Sequence, residues 1–394
     1  MKNIVIFGAG YVGFSLAVFL ARKHKVTIFE VVSKTINMVN SARSPILDQD
    51  IEQYLEKVVS SGNLVAKTFN SEDLINADII ILALPTNYDV EKNEFDTSVL
   101  DAALRQISEV SHEKTIVIKS TIPVGYTDKI VSLFNLSNCF YSPEFLREGK
   151  AIYDNFHPSR IVVGSRCAEG IKFAEIMENC SHERTVKKIF TDSTSAEVIK
   201  LASNTYLAMR IAFFNEVDSY AITKSLDIED IISGICADPR IGEGYNNPSF
   251  SYGGYCLPKD VRQFQSSVQN DMNQLPLISS IHASNEARLN FIVDEIERRA
   301  IDTVGIFRLQ AKQGSDNHRE ASNFRILKEL VRRSTVRVIL YEPSIQIDKM
   351  TNVRIYENLD DFEQAADLIV ANRHSIDLNK SVHKVFSRDI YNEN

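Results

Sequence analysis

The first 30 residues constrain the fold of this chain more than any other stretch. A short apolar run at residues 3–7 leads into the sequence GAGYVG at residues 8–13, and an alanine- and leucine-rich stretch follows to about Ala21. A second apolar run at residues 26–29 then ends in Glu30. A strand, a glycine-rich turn, a helix, a second strand and an acidic residue in this order predict a βαβ unit that binds a dinucleotide.

Each glycine of this turn has its own physical task. Gly8 allows the tight turn, Gly10 lets backbone N–H groups approach a pyrophosphate, and Gly13 lets the helix pack on the strand. Glu30 would accept hydrogen bonds from the adenosine ribose and would repel a 2′-phosphate. The sequence therefore predicts NAD rather than NADP as the cofactor, a preference that the nearby Lys34 weakens slightly.

Further apolar runs at residues 78–84, 115–119 and 160–164 alternate with helical stretches. Apolar strands that are separated by helices indicate a parallel sheet covered on both faces, and ligands bind at the carboxyl ends of such strands. Thr86 and Thr121 follow two of these runs, which makes them candidates for the binding site. Helix capping or a turn explains a threonine at such a position equally well.

Two carboxylates, Glu144 and Glu148, lie four residues apart in the segment at residues 141–149. On a helical turn this spacing places both side chains on one face, where they could act as acid and base or hold a water molecule. A solvated acidic face is the alternative interpretation, and from spacing alone it is the commoner one.

Residues 192–224 contain neither glycine nor proline and predict one helix of about 30 residues, longer than most globular helices. We expect this helix to join two domains and to supply a dimer surface. Lys200 and Asn204 lie one turn apart on it and face the same direction. The apolar neighbours of Lys200 indicate a partly desolvated ammonium that could stabilise an oxyanion with Asn204, whereas most helical lysines are simply solvated.

The sequence GGYCLPKD at residues 253–260 places Cys256 between two glycines and a Lys-Asp pair. The ammonium of Lys259 favours the thiolate, which is the nucleophilic form of cysteine, and the glycines permit close approach of a ligand. A turn that carries an inert cysteine is the alternative interpretation. The loop at residues 238–250, rich in glycine, asparagine and proline, precedes this motif and is a candidate for binding groups.

The remainder of the chain predicts another long helix and then a second strand–helix alternation. This part has no second GxGxxG, so we expect it to bind something other than a second dinucleotide. The whole pattern predicts an α/β fold with an N-terminal Rossmann-type parallel sheet, a long central helix and a second, smaller Rossmann-like C-terminal domain. The helices are expected at residues 276–299 and near 321–333, and the strands at 303–307, 336–341, 367–371 and 384–386.

Charge and cysteine content argue against several classes of protein. The chain has 394 residues, enough for two or three domains, and its net charge of −8 without a dense Lys/Arg run argues against nucleic-acid binding. The five cysteines include no CxxC pair, which argues against a disulfide framework or a zinc site and fits a reducing cytosol. Without a signal sequence or an apolar run of about 18 residues, we expect a cytoplasmic protein that does not bind membranes.

Eight motifs occur in a characteristic order along nearly the whole chain: GAGYVG, LPT, KSTIPVG, SPEFLREG, IKLASNTYLAMRIAFFNE, DPRIG, YNNPSFSYGGYCLPKD and GSDNHR. Together they resemble the UDP-glucose/GDP-mannose dehydrogenase family, most closely its short bacterial members that oxidise UDP-glucose to UDP-glucuronate. The resemblance implies an NAD-dependent homodimer that feeds nucleotide-sugar metabolism, with capsule polysaccharide as one expected destination.

The family's catalytic roles carry over to matching positions. By resemblance, Cys256 is the nucleophile, and Asp260 is its general base and orienting partner. Lys200 and Asn204 stabilise the oxyanion. Taking an alcohol to a carboxylate removes four electrons, and the thiolate explains how one site completes this: it holds the intermediate aldehyde as a thiohemiacetal that becomes a thioester.

Hydrolysis of that thioester needs a positioned water molecule. By resemblance, Thr121 and Glu148 hold the water, and Glu144 assists as a second carboxylate. No residue matches a metal ligand.

The resemblance also implicates residues in ligand binding. For NAD, they are Gly8, Gly10, Tyr11, Val12, Gly13, Glu30, Lys34, Thr86, Thr121, Glu148, Lys259 and Arg319. For the UDP-sugar, held largely through backbone groups, they are Glu144, Phe145, Leu146, Arg147, Glu148, Lys200, Asn204, Arg240, Tyr245, Asn246, Asn247, Ser249, Phe250, Gly253 and Lys312. Arg240 matches an arginine that reaches the substrate across a dimer interface.

Three domains are implied: an NAD-binding domain at residues 1–190, a central dimerisation domain with the cysteine loop at 191–295, and a UDP-sugar-binding domain at 296–394. Residues 310–313 and His318 depart from common relatives and leave the uridine contacts open. The alternatives are the same chemistry on UDP-N-acetylmannosamine or GDP-mannose, a 3-hydroxyacid or 6-phosphogluconate type of dehydrogenase, and an inactive NAD-binding sensor.

Overall fold

The computed structural model describes residues 1–110, 112–270, 275–299, 301–309, 321–343 and 353–392. The chain divides into two compact units, Met1–Ala202 and Ser203–Asn394, and the division falls within one long helix. The division into three domains stays a prediction.

The strands of the described residues are β1 (Asn3–Phe7), β2 (Lys25–Phe29), β3 (Leu64–Lys67), β4 (Ile79–Leu82), β5 (Tyr88–Asp89), β6 (Glu94–Phe95), β7 (Thr115–Ile118), β8 (Cys139–Tyr141), β9 (Ile161–Val163), β10 (Lys188–Phe190), β11 (Thr303–Phe307), β12 (Arg337–Tyr341), β13 (Arg354–Tyr356), β14 (Leu368–Val370) and β15 (Val385–Phe386).

The helices are α1 (Tyr11–Ala21), α2 (Ser33–Asn40), α3 (Glu52–Ser60), α4 (Ser71–Asn76), α5 (Ser98–Val110), α6 (Tyr126–Phe134), α7 (Ala151–Phe156), α8 (Ala168–Cys180), α9 (Ser193–Lys224), α10 (Ile228–Cys236), α11 (Cys256–Asn270), α12 (Pro276–Glu297), α13 (Ser322–Arg333) and α14 (Leu359–Ala365). A 3₁₀ segment, Ile376–Lys384, precedes β15.

The first unit is built on a parallel sheet with the strand order β3-β2-β1-β4-β7-β8. This is the doubly wound order, in which ligands bind where the strand sequence reverses, between β1 and β4. Alternate residues of β1 enter two separate cores: Ile4 and Ile6 pack in one, Val5 and Phe7 in the other. The sheet is therefore covered on both faces, as its uninterrupted apolar strands predicted.

Two additions to this sheet differ from the simplest reading of the sequence. The apolar run near residue 162 does form a strand, β9, but β9 pairs with β10 in a separate two-stranded sheet. An antiparallel hairpin of β5 and β6, which we did not predict, follows β4 and pairs Tyr88 with Phe95. The hairpin is too short to show a two-residue periodicity in the sequence.

The second unit contains a smaller parallel sheet with the order β13-β12-β11-β14-β15. Its central strand β11 includes Gly305, where an added Cβ would lie 2.7 Å from the ring of Phe362. The glycine therefore lets α14 approach the sheet closely. The predicted α/β class, with a second Rossmann-like sheet in the C-terminal part, is confirmed.

The long helix is also confirmed. It runs as α9 over 32 residues, and the backbone N–H of Ser195 in its first turn donates to the Asp192 carboxylate at 2.7 Å. Within the described ranges, no helix combines the length and the apolar character that crossing a bilayer requires.

Candidate active site

The glycine-rich turn between β1 and α1 has the shape of a pyrophosphate cradle. Gly8 has a φ of +96°, and a Cβ added there would lie 2.4 Å from the carbonyl oxygen of Ala83. A Cβ on Gly13 would lie 2.1 Å from the carbonyl oxygen of Gly8. No atom lies within 4 Å of a Cβ on Gly10, at the N-terminus of α1. The fold thus needs the outer glycines, while Gly10 leaves open space at the N-terminus of α1, which suits the phosphates of NAD.

Glu30 lies at the end of β2 next to this cradle. One carboxylate oxygen accepts from the backbone N–H of Ala9 at 3.1 Å, and the other accepts from Val31 at 2.7 Å and Val32 at 3.0 Å. Backbone donors therefore orient the carboxylate, as a group that recognises a ribose requires. The other cofactor candidates of this edge are half-buried or exposed: Tyr11, Val12 and Lys34.

Thr86 and Thr121 join the loops that follow β4 and β7. The hydroxyl of the buried Thr86 donates to the carbonyl oxygen of Thr121 at 2.6 Å. Ser120 adds a second link, because its hydroxyl donates to the carbonyl of Leu84 and accepts from the N–H of that residue, both at 2.8 Å. Neither threonine caps a helix, so of the sequence interpretations the strand-end position is the one that the structure supports.

The segment after β8 is not helical, so the prediction of a helical turn that carries Glu144 and Glu148 was wrong. Side chains satisfy its backbone instead. The N–H of Leu146 donates to the Glu144 carboxylate at 2.7 Å, and the N–H of Arg147 donates to Asp154 at 2.7 Å. Such local bonds compete with helix formation. The four-residue spacing therefore does not bring the two glutamates to one face of a helix.

Glu144 pairs with Lys200 of α9. The Lys200 ammonium lies 2.7 Å from the carboxylate and 2.8 Å from the carbonyl oxygen of Glu144, and its side chain is only 4% exposed. Burial is the largest single influence and would raise the pKa of Glu144. The charge and the hydrogen bond of Lys200, with smaller contributions from Leu146 and Lys119, together outweigh it, and the pKa lies below its usual value. The ring of Phe145 lies 5.6 Å from the Lys200 ammonium and 3.7 Å from the guanidinium of Arg160.

The sequence interpretation missed Lys119, a second buried lysine in this part of the first unit. It follows β7 directly, and its ammonium donates to the hydroxyl of Ser142 and to the carbonyl of Pro143. A lysine at the end of an otherwise apolar strand was the available signal, because a charged residue at that register faces the ligand edge of the sheet.

In the second unit, Cys256 is the first residue of α11, a position that we did not predict. Its side chain is exposed, and Gly254 in the turn before it has a φ of +81°. The positive end of a helix dipole favours a thiolate over a thiol, as does a nearby ammonium. The helix start therefore strengthens the interpretation of Cys256 as a nucleophile over that of an inert, buried thiol.

One turn further along α11, Asp260 ties this helix to α9. Its carboxylate accepts from the amide of Asn204 at 2.6 Å and from the ammonium of Lys259 at 2.9 Å. All three residues are buried. Burial alone would lower the pKa of Lys259, but the charges of Asp260 and Cys256 outweigh it, and the pKa is raised. Lys259 is therefore a fixed cation that acts on the thiol, and Asp260 orients both Lys259 and Asn204.

The loop before Cys256 turns several of its side chains inward. The amide of Asn247 donates to Asp389 at 2.6 Å, the N–H of Ser249 donates to Asn215 at 2.8 Å, and Phe250 is fully buried. Asn247 and Phe250 therefore hold the loop through their side chains, and Ser249 holds it through its backbone N–H. The other candidates of the loop vary in exposure: Asn246 is buried, Gly253 is half-buried and Tyr245 is exposed.

Arg240 lies on an exposed turn and pairs with Asp238. Arg210 of α9, which we did not predict, donates to the carbonyl oxygens of Ile241, Gly242 and Gly244 and so fixes this turn. Two other candidates, Lys312 and Arg319, lie outside the described residues. Within those residues, no group of His, Cys, Asp and Glu side chains could hold a metal ion.

Two sequence profiles match the chain. The profile described as "UDP-glucose/GDP-mannose dehydrogenase family, NAD binding domain" matches residues 2–180, and that of the family's central domain matches residues 194–287. The chain belongs to the UDP-glucose/GDP-mannose dehydrogenase family. As a member of this family it is an NAD-dependent oxidoreductase, and the cradle at Gly8, Gly10 and Gly13 lies within the NAD-binding domain.

Named relatives match over the full chain. The UDP-glucose 6-dehydrogenase of Streptococcus pneumoniae is 41% identical over 395 residues, with 99% of each chain covered. That of Campylobacter jejuni subsp. jejuni serotype O:2 is 41% identical over 392 residues, again with 99% of each chain covered. A UDP-glucose dehydrogenase structure from Pyrobaculum islandicum has a TM-score of 0.90 at 24% identity, covers 99% of this chain and 94% of its own, and supports the fold.

Proposed function

We propose that this enzyme oxidises UDP-glucose to UDP-glucuronate in two successive oxidations at one site, with Cys256 as the covalent nucleophile. The observation that carries the proposal is the position of Cys256 at the start of α11, next to the ion pair of Lys259 and Asp260, in a chain with an NAD-binding domain. An alcohol dehydrogenase that stops at the aldehyde has no use for such a thiol. The sugar nucleotide is inferred from the relatives that are 41% identical.

In the proposed sequence, the primary alcohol loses a proton and a hydride to give an aldehyde. The Cys256 thiolate adds to the aldehyde carbon, and the new C–S bond leaves a negative charge on the oxygen. Loss of a second hydride from that carbon gives a thioester. Water then adds, the C–S bond breaks, and the carboxylate and the thiol are released. Each oxidation would need its own NAD as the hydride acceptor, so two NAD molecules would bind in succession.

The side chains have distinct proposed roles. Lys200 and Asn204 stabilise the negative charge on the sugar oxygen, where a fixed donor in a dry site is worth far more than in water. The ion pair of Lys200 with Glu144 and the hydrogen bond of Asn204 to Asp260 support these roles, because each fixes its donor in one position. Asp260 orients Asn204 and Lys259, and we assign to it the general base as well.

We propose that Thr121 and Glu148 hold the hydrolytic water and that Glu144 assists. The sugar nucleotide would contact the segments at residues 144–148 and 245–253, with Arg240 as a further contact. We further propose that residues 296–394 form the UDP-binding domain. We also infer that the protein lies in a reducing cytoplasm, because none of its five cysteines forms a disulfide.

We infer a homodimer from the surface of α9. Tyr206, Phe213 and Tyr220 lie seven residues apart, so they share one face of the helix, and they are 54%, 54% and 60% exposed. An aromatic stripe of this kind marks an interface. A second copy of the same helix is the occupant that we propose, since a two-fold axis pairs one stripe with itself. Sedimentation should give a dimer for the wild type and a monomer for Phe213→Lys; a monomeric wild type would refute the inference.

A panel of nucleotide sugars tests the substrate. NADH absorbance should rise with UDP-glucose and far less with UDP-N-acetylmannosamine or GDP-mannose, and the product should be the uronate. A preference for one of the other sugars would be consistent with the proposed two-step oxidation but would show that UDP-glucose is not the substrate. No NADH with any nucleotide sugar would refute the proposal and leave an NAD-binding sensor.

A further inference from the structure

A buried lysine that the proposed mechanism does not use lies beside the Glu144–Lys200 pair. Lys119 is 6% exposed. Its ammonium donates to the Ser142 hydroxyl at 3.2 Å and to the Pro143 carbonyl at 3.1 Å. Both acceptors immediately precede Glu144 in the chain. The ammonium therefore fixes the backbone that carries the carboxylate.

Two charged groups act on Lys119 within the described residues: Glu144 attracts it and Lys200 repels it. Helix α8 contributes the uncharged ring of Phe173, 5.6 Å from the Lys119 ammonium. Lys119 thus adds a second buried positive charge to that of Lys200.

A second positive charge that is buried away from water raises the free energy of the folded protein. Burial lowers the pKa of Lys119 to about 8, with repulsion from Lys200 acting in the same direction and attraction to Glu144 opposing it. Negative charge near Lys119 and Lys200 would lower this free energy. Fixed positive charge is the arrangement by which active sites stabilise a developing oxyanion.

We propose that Lys119 is a positioning residue of this enzyme: it fixes Ser142 and Pro143 so that Glu144 meets Lys200, and it adds a second buried positive charge that favours an anionic oxygen on the substrate. The inference rests on the proposed function and deepens it. Lys119 acts through Glu144 and Lys200 rather than by touching the substrate.

The role predicts a specific dependence on pH. Below about pH 8 Lys119 is protonated and its positive charge is present, and above about pH 8 this charge is lost. A Lys119→Met enzyme lacks the charge at every pH. The ratio of the wild-type kcat to that of the variant should therefore be largest at neutral pH and fall toward one as the pH rises through 8.

The experiment measures kcat with UDP-glucose and NAD from pH 6.5 to pH 9.5. We expect the ratio of wild type to Lys119→Met to be about tenfold to a hundredfold at pH 7 and within about threefold at pH 9.5. Lys119→Arg, which stays charged, should retain more of its neutral-pH rate at pH 9.5 than the wild type does. Lys114→Met is the matched control, because Lys114 lies at the other end of β7 and also donates to two carbonyls, those of Ile75 and Ala77.

A readout without turnover accompanies the rates. In enzyme with ¹³C-labelled lysine, the Cε resonance that disappears in Lys119→Met should titrate near pH 8 in the wild type. A midpoint near 10.5 would remove the physical basis of the proposal.

The rate outcomes separate cleanly. A ratio that does not change with pH, or a control that shows the same trend, overturns the role of Lys119. A folded Lys119→Met enzyme with no measurable turnover also overturns it, since the lysine would then react directly, and a variant that cannot fold shows that the ammonium serves the fold. A wild type that produces no NADH refutes the proposed function, and the inference falls with it.

Discussion

Replacing Lys119 by methionine should change the stability of the folded protein in a pH-dependent way. Methionine has nearly the length of lysine and carries no charge. Lysine has an ordinary pKa of 10.5, and burial lowers the pKa of Lys119 to about 8. Since one pKa unit corresponds to about 1.4 kcal/mol, the charged form of Lys119 reduces the free energy of unfolding by about 3 kcal/mol at neutral pH.

The substitution also removes two hydrogen bonds. The carbonyl of Pro143 loses its donor, and an unpaired buried acceptor costs about 1–3 kcal/mol. The hydroxyl of Ser142 loses the ammonium but still donates to the carbonyl of Val162 at 2.8 Å. The two effects oppose each other, so we expect the variant at pH 7 to be as stable as the wild type or up to about 2 kcal/mol more stable.

The change with pH is the sharper prediction. Below pH 8 Lys119 is protonated in both the folded and the unfolded state, so its destabilising effect is fully present. Between about 8 and 10.5 the unfolded chain binds a proton that the folded chain does not, so wild-type stability rises with pH. Relative to the variant, the wild type should gain about 3 kcal/mol across this window.

Urea unfolding at pH 7, 8, 9 and 10 measures the difference between the two proteins, in which titrations common to both cancel. The same series with Lys114→Met, from the other end of β7, is the matched control. A difference between wild type and Lys119→Met that stays constant from pH 7 to pH 10 would refute the reasoning, because Lys119 would then have an ordinary pKa in the folded state.

Four further substitutions test other parts of the molecule. Cys256→Ser should lower net turnover at least about a thousandfold while NAD binding, followed by calorimetry, is retained; full activity would exclude Cys256 as the nucleophile. Gly13→Ala should lower the free energy of unfolding, measured in urea, by about 3 kcal/mol, because its Cβ would meet the carbonyl of Gly8. Gly10→Ala should leave that free energy unchanged and weaken NAD binding. Equal effects of the two substitutions on stability would contradict the assigned roles of these glycines. The buried carboxylate of Asp218 pairs with the guanidiniums of Arg288, itself buried, and Arg388. Asp218→Ala should cost about 3–5 kcal/mol, because both guanidiniums lose this counter-charge, and a loss under about 1 kcal/mol would be inconsistent with that pairing.

The sequence predicted the elements with strong periodicity. Uninterrupted apolar strands and the GAGYVG turn predicted the first parallel sheet, and the absence of glycine and proline predicted α9 as one long helix. These signals are local, so they survive in any packing that buries them. The spacing of Glu144 and Glu148 misled us, because side-chain hydrogen bonds hold that segment in a non-helical form.

Electrostatic partners were harder to predict. Neither the pairing of Lys200 with Glu144 nor that of Asn204 with Asp260 follows from sequence spacing, since each pair is separated by 56 residues. The contact of Lys119 with Ser142 and its repulsion by Lys200 likewise join segments that are distant in sequence. The sequence motifs therefore predicted which residues form the site, but only the structure showed which of their side chains pair.

The number of NADH molecules formed per UDP-glucose consumed tests the central claim most directly. Complete conversion of a limiting amount of UDP-glucose, followed by absorbance and by chromatography of the sugar nucleotide, gives this ratio. Oxidation of an alcohol to a carboxylate through a Cys256 thioester predicts two NADH and UDP-glucuronate as the product. A ratio of one, with an aldehyde as the product, would contradict the account.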